Sequence, residues 1–191
     1  MYVIVFVSLV AMTVMFERLW SLRRRFVFPN GLQDRVEALI QEGRLKEAAD
    51  ILRRSESALG RVLLVALAHR GEPRDLLKER VEEQARIEMH YLERFVPWLG
   101  VIAAIAPLLG LLGTVIGMIE VFQNISLVGV GKADVLAGGI SKALNTTAAG
   151  LVVAIPSLVA YRFFEGRLDA YAAELESAAV RIVELLRGEA R

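Results

Sequence analysis

Phe95 to Ile119, FVPWLGVIAAIAPLLGLLGTVIGMI, is a run of 25 residues without a single charge. At about 1.5 Å per residue, one helix of that length crosses a hydrocarbon core of roughly 30 Å. Its apolar surface is interrupted by Gly110, Gly113, Thr114 and Gly117, small or hydroxylated groups that lipid does not require. A second run, Ala143 to Tyr161 (ALNTTAAGLVVAIPSLVAY), repeats the pattern. With 55% apolar residues gathered into such runs, the chain is expected to be an all-α membrane protein whose helices face more than lipid.

A third candidate span opens the sequence. Met1 to Phe16 is apolar and needs Arg18-Leu19-Trp20 to complete a crossing, with Trp20 where an interfacial aromatic belongs. Arg23-Arg24-Arg25 follow this core, and no small-residue cleavage site stands after it. A signal peptide has the reverse order, so an uncleaved anchor is expected. The apolar run begins at the first residue, so the start codon is open to question. Between Glu17 and Arg94 lie 16 Lys/Arg and 14 Asp/Glu, whereas Val121–Asp134 carries only Lys132 and Asp134. Arg162 and Arg167 follow the last span. The positive-inside rule then puts the N-terminus outside and the C-terminus in the cytoplasm.

The expected organisation is a first transmembrane helix (1–20), a cytoplasmic helical domain (21–94), a second span (95–122), a short outer loop (123–134), a third span (135–164) and a cytoplasmic C-terminal helix (165–191). Leu32–Gln41 and Leu45–Leu52 carry apolar residues at helical spacing on either side of Glu42-Gly43-Arg44, which reads as a helical hairpin. Val62–Ala68 is a further apolar segment. Pro73 suits the first turn of a helix from Arg74 to Arg94. That helix is expected to run into the second span as one long rod bent at Pro97 and Pro107. The third span should continue in the same way to about Leu186.

Placed on a helix, Ile140, Leu144, Leu151, Ile155 and Leu158 share one narrow face. Ser141, Lys142, Asn145, Thr146, Thr147, Ala149, Gly150 and Ala154 occupy the remainder. In the second span, Gly110, Thr114, Gly117 and Val121 share a face. Such segregation fits a helix with one side on lipid and a broad side on other helices or water. Gly110, Gly113, Gly117, Ala149 and Gly150 suit close helix packing or a pore-facing surface. Thr114, Thr146, Thr147, Asn145 and Lys142 are the candidates for lining an ion pathway. For Lys142, snorkelling to the outer surface is the competing reading.

Neither run contains a carboxylate or a histidine, and Glu120 stands at the outer end of the second span. A proton path needs a titrating group within the membrane, so an acid would have to come from a partner. Hydroxyls and Asn orient water but do not titrate near neutral pH. Intramembrane proteolysis finds no support. Ser141 and Lys142 are adjacent and point about 100° apart on a helix, and Ser157 has no histidine at membrane depth. No catalytic residue is therefore expected. The chain has no cysteine, and His69 and His90 lie outside the spans, so no metal site or cofactor is expected. A net charge of +1 offers no field for nucleic acid. A membrane scaffold that anchors a helical cytoplasmic domain without conducting ions is the alternative to an ion pathway.

APLLGLLGTVIGMIEVF (Ala106–Phe122) and GISKALNTTAAGLVVAIP (Gly139–Pro156) resemble the signature segments of the ExbB/TolQ proteins, which are more distantly related to MotA. LERF (Leu92–Phe95) and FERLW (Phe16–Trp20) also fit, so the likeness covers all three spans in order. The resemblance implies a subunit of the bacterial inner membrane that forms a homo-oligomer, a pentamer, around helices of an ExbD/TolR-type partner. That single-span partner supplies a membrane aspartate, and proton flow drives a TonB- or TolA-type protein for outer-membrane transport or envelope integrity. The pore-lining threonines of the family match Thr114 and Thr147. Lys142 stands where the family often has glutamate, which leaves the partner's aspartate as the titrating group.

Overall fold

The computed structural model describes residues 2–128 and 133–188. These form eight helices, and no strand occurs among the described residues. They are α1 (Tyr2–Ser21), α2 (Arg24–Val27), α3 (Leu32–Gln41), α4 (Leu45–Arg54), α5 (Ala58–Ala68), α6 (Arg74–Glu93), α7 (Val96–Val128) and α8 (Ala133–Leu186). Three stretches are long and apolar enough to cross a membrane: α1, a part of Arg74–Ser126, and a part of Ala137–Leu186. The expected all-α fold with three such helices is therefore observed.

The rod expected from α6 into α7 is interrupted. Arg94 leaves helical geometry, and Phe95 adopts φ +76°. An L-residue with a bulky side chain rarely occupies that left-handed region. The break comes before either proline, so Pro97 falls in the first turn of α7, where its missing N–H costs nothing. Pro107 and Pro156 sit inside unbroken helices. At its far end α7 stays helical through Val128, well into the stretch expected as outer loop. The rest of that loop up to Lys132 lies outside the described residues.

The chain divides into two compact units. The first comprises Met1–Arg18 with Phe95–Phe164, and the second Leu19–Arg94 with Glu165–Arg191. In the first unit α1 contributes Ile4, Ala11 and Arg18 as its buried positions, one every seven residues. The remaining apolar side chains of α1 are mostly exposed, Phe6 and Phe16 among them. The buried Arg18 is bonded to Glu17 and lies with its guanidinium carbon 5.3 Å from the centre of the Phe95 ring.

In the second unit α3 and α4 form the expected hairpin. It turns where Gly43 takes φ +76°, with the Arg44 N–H donating to Leu39 O and the Gly43 N–H to Ile40 O. This paired closure satisfies carbonyls at the helix end and needs the left-handed conformation that glycine supplies. α5 is capped by Ser57, whose hydroxyl accepts from the Gly60 N–H at 3.0 Å. The core is made by Val36, Leu52, Leu59, Val62, Leu63, Leu77, Val81, Leu175 and Ile182, all essentially inaccessible. Two buried carboxylates are partnered across elements. Glu88 accepts from the Arg61 Nε and Nη2 at 2.7 and 2.6 Å and from Gln84. Glu37 accepts from the Arg181 Nε at 2.8 Å and from Gln33. Hydrogen bonding to Glu88 pushes the Arg61 guanidinium above its already high ordinary value.

Candidate functional site: the seam between α7 and α8

The first unit is organised by close approach of α7 and α8. Gly100 faces the Tyr161 ring, Gly150 faces Ala106 and Gly110, Gly113 faces Thr146, Gly117 faces Ala143, and Gly139 faces Val121. Positions that rise along α7 meet positions that fall along α8, so the two helices pair antiparallel. The seam spans some twenty residues of each helix, about 30 Å at the helical rise, comparable with a bilayer's hydrocarbon thickness.

Small residues make this pairing possible. A Cβ on Gly110 would stand 3.0 Å from the Thr146 carbonyl oxygen, and one on Gly117 would stand 2.8 Å from the Ala143 Cβ. Ala106, Gly110, Ala143, Thr146, Gly150, Ala154 and Ser157 are buried along the seam. Without water to drive association, helices in lipid gain from such backbone proximity and from hydroxyl bonds. Both kinds of contact occur here. The Thr146 hydroxyl donates to the Ala143 carbonyl at 2.7 Å and approaches the Gly110 carbonyl at 3.3 Å. The Ser157 hydroxyl donates to Val153 O.

The sequence candidates separate into three environments. Gly110, Gly113, Gly117, Gly150 and Thr146 lie in the seam. Thr114 and Thr147 are half-buried on its flanks, and Ala149 is also half-buried. Asn145 and Lys142 are exposed. The narrow apolar face of Ile140, Leu144, Leu151, Ile155 and Leu158 is exposed throughout, as a lipid-facing stripe would be.

The two flanking threonines differ in chemistry. The Thr114 hydroxyl donates to Leu111 O at 2.6 Å, a bond within its own helix. The Thr147 Oγ1 is shielded from solvent and has no hydrogen-bond partner among the described residues. A buried hydroxyl in that condition carries a cost of about 1–3 kcal/mol.

Lys142 meets a partner that the sequence reading did not assign. Its Nζ lies 3.8 Å from Glu120 Oε2, and both side chains are exposed. The pair links α7 to α8 where each uncharged run gives way to charge, about two turns inside the helix ends. The signal for it was the single charge that closes one uncharged run and the single charge that opens the other, brought to one level by antiparallel pairing.

The residues 47–177 match the family model described as "MotA/TolQ/ExbB proton channel family". An ExbB-like biopolymer transport protein of Synechocystis sp. (ExbB-like 1) is 36% identical over 167 residues, covering 85% of this chain and 65% of the relative. The biopolymer transport protein ExbB of Salmonella typhimurium is 35% identical over 123 residues, covering 62% of this chain and 50% of that protein. The Tol-Pal system protein TolQ of Haemophilus influenzae is 39% identical over 83 residues, covering 44% of this chain and 36% of its own length. The chain thus spans between about a third and two thirds of the length of these relatives. The match covers most of the chain and includes the whole α7–α8 seam: the chain belongs to the MotA/TolQ/ExbB proton channel family.

Proposed function

We propose that this chain is the channel-forming stator subunit of a proton-driven machine in the bacterial inner membrane. The observation that carries the reading is the Thr147 hydroxyl, buried and unbonded beside a tightly packed seam, in a span that contains no acid of its own. In this reading the chain has its N-terminus outside, spans the membrane at about 1–20, 95–122 and 135–164, and keeps 21–94 and 165–191 in the cytoplasm. The short outer loop is 123–134. The glycines and Thr146 fix the seam. Thr147, Thr114, Asn145 and Lys142 border the pathway, and Ala149 keeps its wall smooth.

The titrating carboxylate comes from a single-span partner of the ExbD/TolR type, around which copies of this chain assemble, five in number by family likeness. A proton that crosses 100 mV releases about 2.3 kcal/mol. That is enough to bias the position of a central helix against a wall of hydroxyls and small residues. The work is delivered to a TonB- or TolA-type protein.

Co-reconstitution of this chain with an Asp-bearing single-span partner tests the proposal. Vesicles that hold both should pass protons under an imposed potential, and vesicles that hold either alone should not. Thr147→Val should abolish the flux while the two proteins still co-purify. Absence of flux together with absence of any such partner would leave the membrane scaffold as the function.

A further inference from the structure

The segment Leu19–Phe28 of the second unit has two unlike sides. Leu22, Val27 and Phe28 are buried. The Tyr171 hydroxyl donates to the Leu22 carbonyl at 2.8 Å, and the Phe28 and Tyr171 rings lie 5.4 Å apart. Arg24 is tied to Glu174 at 2.5 Å. The segment is therefore fixed against α8 on this side. The other side is open. Leu19, Trp20 and Phe26 are 49%, 58% and 44% exposed. The Arg23 guanidinium sits 4.4 Å above the Trp20 ring and that of Arg25 sits 4.7 Å above the Phe26 ring. Neither Arg23 nor Arg25 has a carboxylate partner among the described residues.

An exposed aromatic ring with a guanidinium stacked on it, repeated twice within seven residues at the end of an apolar helix, has a specific complement. The rings suit the boundary between acyl chains and headgroups. The guanidinium fork matches phosphate oxygens in a bidentate way. Stacking on a ring holds each fork in place and lowers the ordering cost of binding. Because no carboxylate among the described residues neutralises them, the two arginines attract a net negative headgroup over a zwitterionic one.

We propose that Trp20–Arg23 and Arg25–Phe26 are two clamps for anionic phospholipid headgroups in the leaflet that adjoins the end of α1. The clamps depend on α1 lying in a bilayer and not on any proton pathway, so the two ideas fail separately.

The test uses the full chain in phosphatidylcholine vesicles. Trp98→Phe leaves Trp20 as the only tryptophan, since the sequence has 2. Trp20 quenching is compared between brominated phosphatidylglycerol and brominated phosphatidylcholine at equal mole fraction. The anionic lipid should be favoured, and Arg23→Gln and Arg25→Gln should each reduce that preference by about fivefold, the factor that corresponds to about 1 kcal/mol per surface arginine. Arg24→Gln, which removes an already paired charge, should leave the preference in place. Arg23→Lys with Arg25→Lys should retain only part of it, because the charge remains while the fork is lost, which separates charge from misfolding. Equal quenching by both lipids in the parent, or an unchanged preference in the glutamine variants, overturns the proposal. So does a double lysine variant that loses as much preference as the double variant Arg23→Gln with Arg25→Gln.

Discussion

Gly150 lies so close to Ala106 that a methyl group on it would stand 2.5 Å from the Ala106 carbonyl oxygen. The obstacle is backbone, which cannot rotate away. Gly150→Ala should therefore force α7 and α8 apart. Overpacking costs typically about 1–3 kcal/mol, and the upper part of that range is expected here. Gly166, in the same helix, has open space around it. Gly166→Ala should stabilise by up to about 1 kcal/mol through lower chain entropy. Unfolding of both variants in mixed detergent micelles reads the contrast.

Thr146 and Thr147 are neighbours with opposite roles. Thr146→Val removes hydroxyl contacts to two carbonyls and should destabilise the isolated chain by about 0.6 kcal/mol, a usual value for such bonds in membranes. Thr147→Val removes a hydroxyl that has no partner among the described residues. The isolated chain should be as stable as the parent or more so, while proton flux with the partner disappears. A Thr147→Val chain that is clearly less stable would contradict the assignment.

Glu88 is 2% exposed and held by Arg61, whose side chain is nearly half exposed. Arg61→Ala should leave a buried carboxylate with Gln84 alone. The loss of a charge-assisted bond pair of this kind costs about 2–3 kcal/mol, less than a fully buried pair would. Glu88→Gln with Arg61→Met should recover much of it, because an uncharged side chain there no longer needs a cation. Thermal unfolding followed by circular dichroism distinguishes the three chains.

Glu47 accepts two charge-assisted contacts within the α3–α4 hairpin through Arg44, and that hydrogen bonding holds its carboxyl below the ordinary carboxylate range. A lowered value in the folded state means the folded protein gives up the charge less readily than the unfolded chain. The resulting stabilisation is present above the unfolded value of about 4.3 and is lost as pH falls through the lower folded value. Both side chains face solvent, so the effect is small and salt-sensitive. The Tm of Glu47→Gln should lie slightly below that of the parent at pH 7 and converge with it in acid.

The three membrane helices could be read from the sequence because uncharged runs of this length have few other uses. The α3–α4 hairpin was equally readable through Gly43 and the helical spacing on either side. Phe95 was not. Nothing local announces a left-handed phenylalanine, and the two prolines downstream are the more usual cause of a helix bend. The site divides in the same way. Residue type identified Thr114, Thr146 and Thr147 as a group, but only the pairing of α7 with α8 separates the bonded Thr146 from the unbonded Thr147. The Lys142–Glu120 pair and the burial of Arg18 depend on which helix lies alongside. That information is spread over positions far apart in the chain.

The heptad seam of α1 has a practical outcome. Only Ile4, Ala11 and Arg18 of this helix are buried, so it rests on a narrow keel and most of its circumference is free to vary. Lengthening or trimming the apolar stretch outside those positions should leave the fold alone and retune the bilayer thickness the protein prefers, at a fraction of a kcal/mol per ångström of mismatch. Sorting between thin and thick membranes can thus evolve on α1 without disturbing the packing of α7 on α8.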